Sequence, residues 1–325
     1  MTTLARLKTS VADLGRFAGG SILGLALAAA LVAAPAKALA QAAPATTAAA
    51  PAAVLPATGS GPALWVIKDA DSTLYLFGTI HVLRPTTAWG SAKVDAAFAA
   101  ASDIYFEISN PDDQAAILPL VQQYGISPQT PLSSLLTAEE IAHLDVAAKA
   151  MGASAAQLDP FRPWMAGLTL SIAPLLKAGY DPASGVELIL KTRAQASGKP
   201  IHGFETLDEQ IRVLATLPEE AQVEFLRSTL TSIDAASTEL DGLVTAWAAG
   251  DVAAIQALGV DEMKATAPAL YEAMLTRRNA GFADDIQGLL AGSGTAFIAV
   301  GAAHLAGPDS VQAMLETRGV AVEQQ

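Results

Sequence analysis

Two short stretches near opposite ends of the chain share one layout. In residues 73–84, TLYLFGTIHVLR, an apolar run meets Gly78 and His81 follows at the third position. In residues 296–305, AFIAVGAAHL, an apolar run meets Gly301 and His304 follows at the same spacing. A lone Gly-x-x-His is a weak signal. Only 4 histidines occur in 325 residues, however, and two of them share this context. The apolar runs read as strands, and a glycine after each lets the backbone bend sharply and leaves space beside the histidine. For the two histidines to act together, strands far apart in sequence have to end on one edge of a sheet.

The intervening sequence supplies such a sheet. Residues 63–68 and 73–77, joined by Asp69-Ala70-Asp71-Ser72, form an expected hairpin. Asp103–Ile108, DIYFEI, is a short buried-type strand with Glu107 at its carboxyl end, and 201–204 leads into Glu205 in the same way. Residues 295–300 form the last long strand. Helical patterns lie between, including 111–124, 161–179, 185–197, 218–233, 235–249 and 268–290. The helix over 137–151 opens on a capping box, Thr137 with Glu140. Strands separated by helices predict an α/β (or α+β) fold with a mixed, partly parallel central sheet wrapped by helices. No linker interrupts 62–325, which reads as one domain.

Residues 1–40 have the layout of a secretory signal peptide. Arg6, Lys8 and Arg16 precede an uncharged stretch, and Ala38-Leu39-Ala40 is a cleavage site before Gln41. Residues 41–61, rich in Ala, Pro and Thr, read as a flexible linker. The expected location is therefore periplasmic or secreted, with a membrane tether if the segment stays uncleaved and no stable span after cleavage. There is no cysteine, which excludes disulfides, thiolate ligands and a cysteine nucleophile. Without residues 1–40 the chain carries 15 basic and 31 acidic residues, which argues against nucleic acid and anionic membrane surfaces as partners.

Four strands thus end near a residue with chemistry: His81, Glu107, Glu205 and His304. In open α/β sheets, ligands bind beyond the carboxyl ends of the strands. If these strands are parallel neighbours, two imidazoles and two carboxylates converge, a usual first shell for Zn²⁺ or Mn²⁺-type ions. Each residue also has a plainer reading: a hydrogen-bonded strand end for His81, a salt-bridge partner for Glu107, and a helix cap for Glu205. His202 reads as structural and His143 as exposed on a helix. Arg277, Arg278 and Asn279 lie within the 268–290 helix; Asn is a poor helix former, so Asn279 has a reason to be there. An oxyanion- or carboxylate-positioning role suits Arg278. There is no Gly-x-Ser-x-Gly elbow, P-loop or His-Glu-x-x-His helix.

Taken together, these residues resemble the TraB/GumN family, which includes the animal TIKI proteins. The resemblance rests on Leu64-Trp65, Gly78-Thr79-Ile80-His81, Glu107, Gly185-Val186-Glu187, Phe204-Glu205-Thr206 with Gln210, residues 247–251, Arg278-Asn279 and residues 300–307. Glu187 stands where the family pattern leads one to expect Asp; the charge is kept and the reach changes. The resemblance implies a fold related to the erythromycin-esterase/ChaN-like group. From the animal relatives it implies metal-dependent peptide-bond hydrolysis, with His81, Glu107 and His304 at a divalent ion (Mn, Co or Zn). Glu205, Arg278 and Asn279 would act in support: Glu107 is expected to be a ligand or the general base and Glu205 the other of that pair, with Arg278 stabilising developing negative charge. The expectation is an exported metal-dependent hydrolase acting on a peptide or small-molecule substrate. The alternative is a non-catalytic metal- or ligand-binding envelope protein, with a possible link to exopolysaccharide processes.

Overall fold

The computed structural model describes residues 54–325. The expected signal peptide and the linker up to residue 53 lie outside the described residues. Strands β2 (Leu64–Lys68) and β3 (Ser72–Thr79) form the expected antiparallel hairpin. They join β5 (Asp103–Ile108), β6 (Ile201–Glu205), β7 (Gly294–Gly301) and β8 (Val322–Gln324) in one sheet of order β6-β5-β7-β3-β2-β8. The pairs β6–β5, β5–β7 and β7–β3 are all parallel. The four strands named for their chemistry are therefore consecutive neighbours running the same way, and their carboxyl ends share an edge. A second, two-stranded pairing of β1 (Leu55–Pro56) with β4 (Ala88–Gly90) ties the chain to the fold ahead of residue 62.

Both faces of the inner parallel strands β3, β5 and β7 are largely buried, which is why they read as near-continuous apolar runs, while the edge strand β6 is half-exposed. On one face Leu74, Leu76, Ile298 and Val300 pack with Phe282 and Ile286. On the other, Phe77 and Phe297 lie 5.7 Å apart and join Trp89 and Trp247. Trp247 also donates its indole N–H to the Gly78 carbonyl at 2.8 Å, which pins the first histidine turn from below.

The helices form at the expected places. Helix α1 (Ala92–Ala100) follows β4, and α2 (Gln114–Gly125) starts three residues later than the pattern suggests because Asp113 caps it. Helices α3 (Ala138–Ala150, with its capping box), α4 (Pro163–Lys177), α5 (Val186–Ala196), α6 (Leu207–Ala215), α7 (Glu219–Ser232) and α8 (Ala236–Ala249) build the helical layer. Part of it, around Leu144, Leu170 and Leu226, forms its own apolar cluster away from the sheet. One departure matters for function. The expected helix over 268–290 contains a π-helical turn, Glu272–Thr276, ahead of α9 (Arg277–Leu290). A π turn shifts the helical register and re-aims the side chains that follow it, here Arg278 and Asn279. The chain closes with α10 (Val311–Thr317).

Candidate active site at the carboxyl edge of the sheet

The first half of the site is built on β3 and α5. Beyond Thr79 the chain runs beside the segment that enters α5: Val186 N–H donates to the Ile80 carbonyl at 3.0 Å, and Asp181 N–H to that of Leu83 at 2.9 Å. This contact is so close that a Cβ on Gly185 would overlap the His81 carbonyl oxygen. Glu187, in the first turn of α5, is thereby set against His81. His81 Nδ1 lies 2.8 Å from Glu187 Oε1, which also accepts from the Thr79 hydroxyl. A carboxylate offers only lone pairs, so Nδ1 carries the proton and the neutral ring presents its lone pair at Nε2. Both His81 Nε2 and Glu187 Oε2 are buried with no hydrogen-bond partner.

The second half is built on β5, β6, β7 and α9, and it is closed. Arg278 spans it: Nε donates to Glu205 Oε1 at 2.7 Å, Nη2 to Glu205 Oε2 at 2.7 Å and to Glu107 Oε2 at 2.5 Å, and Nη1 approaches His304 Nε2 at 3.1 Å. Glu107 Oε1 accepts from the Gly301 N–H at 2.7 Å, so the glycine of the second turn binds the carboxylate through its backbone. Gln210 Nε2 completes Glu107 at 3.1 Å. Asn279 Nδ2 donates to the Asp309 carbonyl at 2.7 Å, which turns its Oδ1 toward His304 Nδ1 at 2.5 Å. That oxygen is an acceptor, so Nδ1 is again protonated and His304 Nε2 is the lone pair that Arg278 covers.

The two imidazoles consequently titrate in opposite directions. Burial pushes His81 down, but the Glu187 carboxylate outweighs it and the net is raised above the usual 6.5. Burial and the adjacent Arg278 push His304 down to about 3. The carboxylates diverge too. For Glu107 burial acts upward, yet Arg278, the two histidines and the Gly301 N–H bring it down to about 2. Glu205 is raised, because burial beside Glu107 exceeds the pull of Arg278. Glu205 is also the member nearest the surface, with 14 % of its side chain exposed against 4 % for Arg278. Two surface cavities, of about 370 and about 430 Å³, meet it; Phe204 and Glu209 line both. A larger cavity of about 640 Å³ lies in the helical layer around Phe225, Arg227 and Leu270 and touches none of these residues.

The profile of the TraB/PrgY/gumN family matches residues 63–324, the span that contains every residue above. The chain belongs to this family. Among curated relatives, an uncharacterized protein of Treponema pallidum (strain Nichols) is 24% identical over 281 residues, covering 78% of this chain and 80% of its own. The uncharacterized protein YbaP of Escherichia coli (strain K12) is 23% identical over 260 residues, covering 78% and 92%. No solved structure matches significantly.

In this TraB/PrgY/gumN member, the structure brings together Glu107, Glu205, Arg278, Asn279 and His304 by direct contact. His81 meets the cluster through charge, being influenced by Glu107 and Arg278, with Glu187 as its contact partner. Glu205 does not cap α6; Thr206 and Glu209 form that capping box and leave Glu205 to Arg278. His202 pairs with Asp103 at 3.0 Å and stacks on Tyr105, and His143 is exposed, so neither belongs to the site. Sequence reasoning did not place Glu187, Gln210 or Thr79 in the site. The signal for the first was the acidic residue after Gly185-Val186.

A divalent ion held by His81, Glu107 and His304 needs an open lone pair on each. His304 Nε2 and Glu107 Oε2 face the Arg278 guanidinium, and Glu107 Oε1 holds the Gly301 N–H. Among the described residues, no group of three or more His, Cys, Asp or Glu is arranged to hold a metal ion. In this arrangement the three residues do not fit a common first shell. Of the two imidazoles, only His81 keeps an open Nε2, with a carboxylate behind its other nitrogen, as is usual for metal-bound histidines.

Proposed function

We propose that this TraB/PrgY/gumN protein is an exported hydrolase of an amide or ester bond in which His81 is the general base. The observation that supports this best is the His81–Glu187 pair, with Nδ1 at 2.8 Å from the carboxylate and Nε2 buried and unpartnered. A carboxylate behind an imidazole fixes its tautomer, aims Nε2 and stabilises the imidazolium formed when Nε2 takes a proton from water. The raised His81 pKa is what a base working near neutrality requires. Arg278 contributes fixed positive charge beside the site through its field, since its N–H donors are engaged by Glu107, Glu205, His304 and the Met274 carbonyl. The His81 imidazolium returns its proton to the leaving group, while Glu205, bound to Arg278 through both oxygens, faces both cavities. Glu107 and Asn279 position Arg278 and His304. The signal-peptide layout of residues 1–40 supports export to the periplasm or beyond.

The test is hydrolysis of a panel of peptides and activated esters by wild type, His81→Ala and Glu187→Gln, each with a chelator and with added Mn²⁺, Co²⁺ or Zn²⁺. Turnover that disappears with His81→Ala and is weakened by Glu187→Gln is expected, with kcat/KM rising with pH through an ionisation above 6.5. Turnover indifferent to His81 would sink the proposal. A second reading, a ligand-binding envelope protein without turnover, is favoured by the burial of His81 and His304, which are 5% and 0% exposed. Stoichiometric ligand capture with no hydrolysis across the panel would favour it.

A further inference from the structure

We propose that Arg278 is the resident cation of this site, its guanidinium holding the ligand atoms that a divalent ion would otherwise take. The guanidinium has five N–H donors, and each has an acceptor. Nε–H goes to Glu205; the Nη2 pair goes to Glu107 and Glu205; the Nη1 pair goes to His304 Nε2 and, at 3.3 Å, the Met274 carbonyl. The last contact is with the π-helical turn just before Arg278, so the irregular backbone both aims the side chain and accepts from it.

This fork is a fixed, planar match for carboxylate oxygens, which a spherical ion is not. It also takes the one lone pair that makes His304 a ligand, since the Asn279 oxygen fixes the proton on Nδ1. Two carboxylates, Glu107 and Glu205, face one guanidinium whose pKa is raised by them. It stays charged throughout the working range, so an ion entering beside it meets a like charge at close range. Arginine and an ion are thus alternative occupants of one anionic pocket, and this chain has the arginine.

The inference stands apart from the hydrolytic reading, because its readout is ion binding rather than turnover. Wild type, His304→Ala, Arg278→Ala and the double variant Arg278→Ala/His304→Ala are dialysed against chelator and titrated calorimetrically with Zn²⁺ and with Mn²⁺. Wild type is expected to show no binding that depends on His304. Arg278→Ala is expected to gain one equivalent of ion, with Glu107, Glu205 and His304 closing onto it in the space the guanidinium leaves, and the double variant to lose it. An equivalent in wild type that His304→Ala abolishes would overturn the proposal; so would a folded Arg278→Ala that gains none. Should Arg278→Ala fail to fold, ¹⁵N spectra of histidine-labelled wild type decide. A His304 Nε2 resonance unmoved by Zn²⁺ supports the proposal, and a coordination shift there contradicts it.

Discussion

Gly78–His81 and Gly301–His304 leave neighbouring parallel strands almost level, with Gly78 beside Val300 and Thr79 beside Gly301. At the first turn the imidazole meets a carboxylate, Glu187, and keeps a free Nε2. At the second it meets an amide oxygen, Asn279, and its Nε2 is covered by a guanidinium. Equal motifs therefore give a basic histidine with raised pKa and a neutral one held down to about 3. The difference comes from the elements packed on each turn, α5 on one and α9 on the other. A histidine's role here is set by what faces its second nitrogen.

The two halves are expected to respond differently to substitution. If the protein is the proposed hydrolase, His81→Gln should lower kcat/KM by about 10²–10⁴-fold on any substrate it turns over, the usual weight of a general base. Steady-state kinetics checks it, and a loss below about tenfold would place the base elsewhere. Glu107→Gln should act mainly on stability, by about 3–5 kcal/mol in urea unfolding, because it strips a buried guanidinium of a charge partner. Glu187→Gln should cost less, about 1–2 kcal/mol, since an amide oxygen still accepts from His81. Equal losses in the two variants would erase the distinction between a closed and an open half.

The pH dependence of stability has opposite signs at the two histidines. His304 stays neutral in the folded chain down to about 3, while the unfolded chain protonates below 6.5, so stability falls by a few kcal/mol as pH drops across that window. Glu107, depressed to about 2 from 4.5, adds a further loss below 4.5. His81, raised above 6.5, contributes stability fully present below 6.5 and lost as pH rises through its folded value. His304→Gln should flatten the acid limb and His81→Gln the limb above 6.5, measured as urea midpoints across pH. An effect of similar size to that of Glu187→Gln is expected at Gly78→Ala. A Cβ there would sit 3.1 Å from the Ala302 Cα, wedging the two turns apart at about 1–3 kcal/mol.

The strands and both turns were legible because apolar runs ending in a chemical residue are local signals. Adjacency of the four strands followed once they proved parallel neighbours. Glu187 was not legible as the partner of His81. An acid in the first turn of a helix reads as a complement to the helix dipole, and only the pairing of Val186 with Ile80 brings it across. Gln210 looks like any residue on the buried face of α6. Arg278 was legible as a site residue, but its bridging of both glutamates and His304 was not. The π turn that aims it shifts the helical register by one residue, and periodicity does not encode such a shift.

The central claim, that the two turns hold histidines of opposite character, is tested most directly by ¹⁵N-detected titration of both imidazoles in one sample. The expected result is that His81 titrates above 6.5 while His304 keeps a protonated Nδ1 and an unprotonated Nε2 down to about 3. Joint titration of the two near their ordinary value would contradict the account.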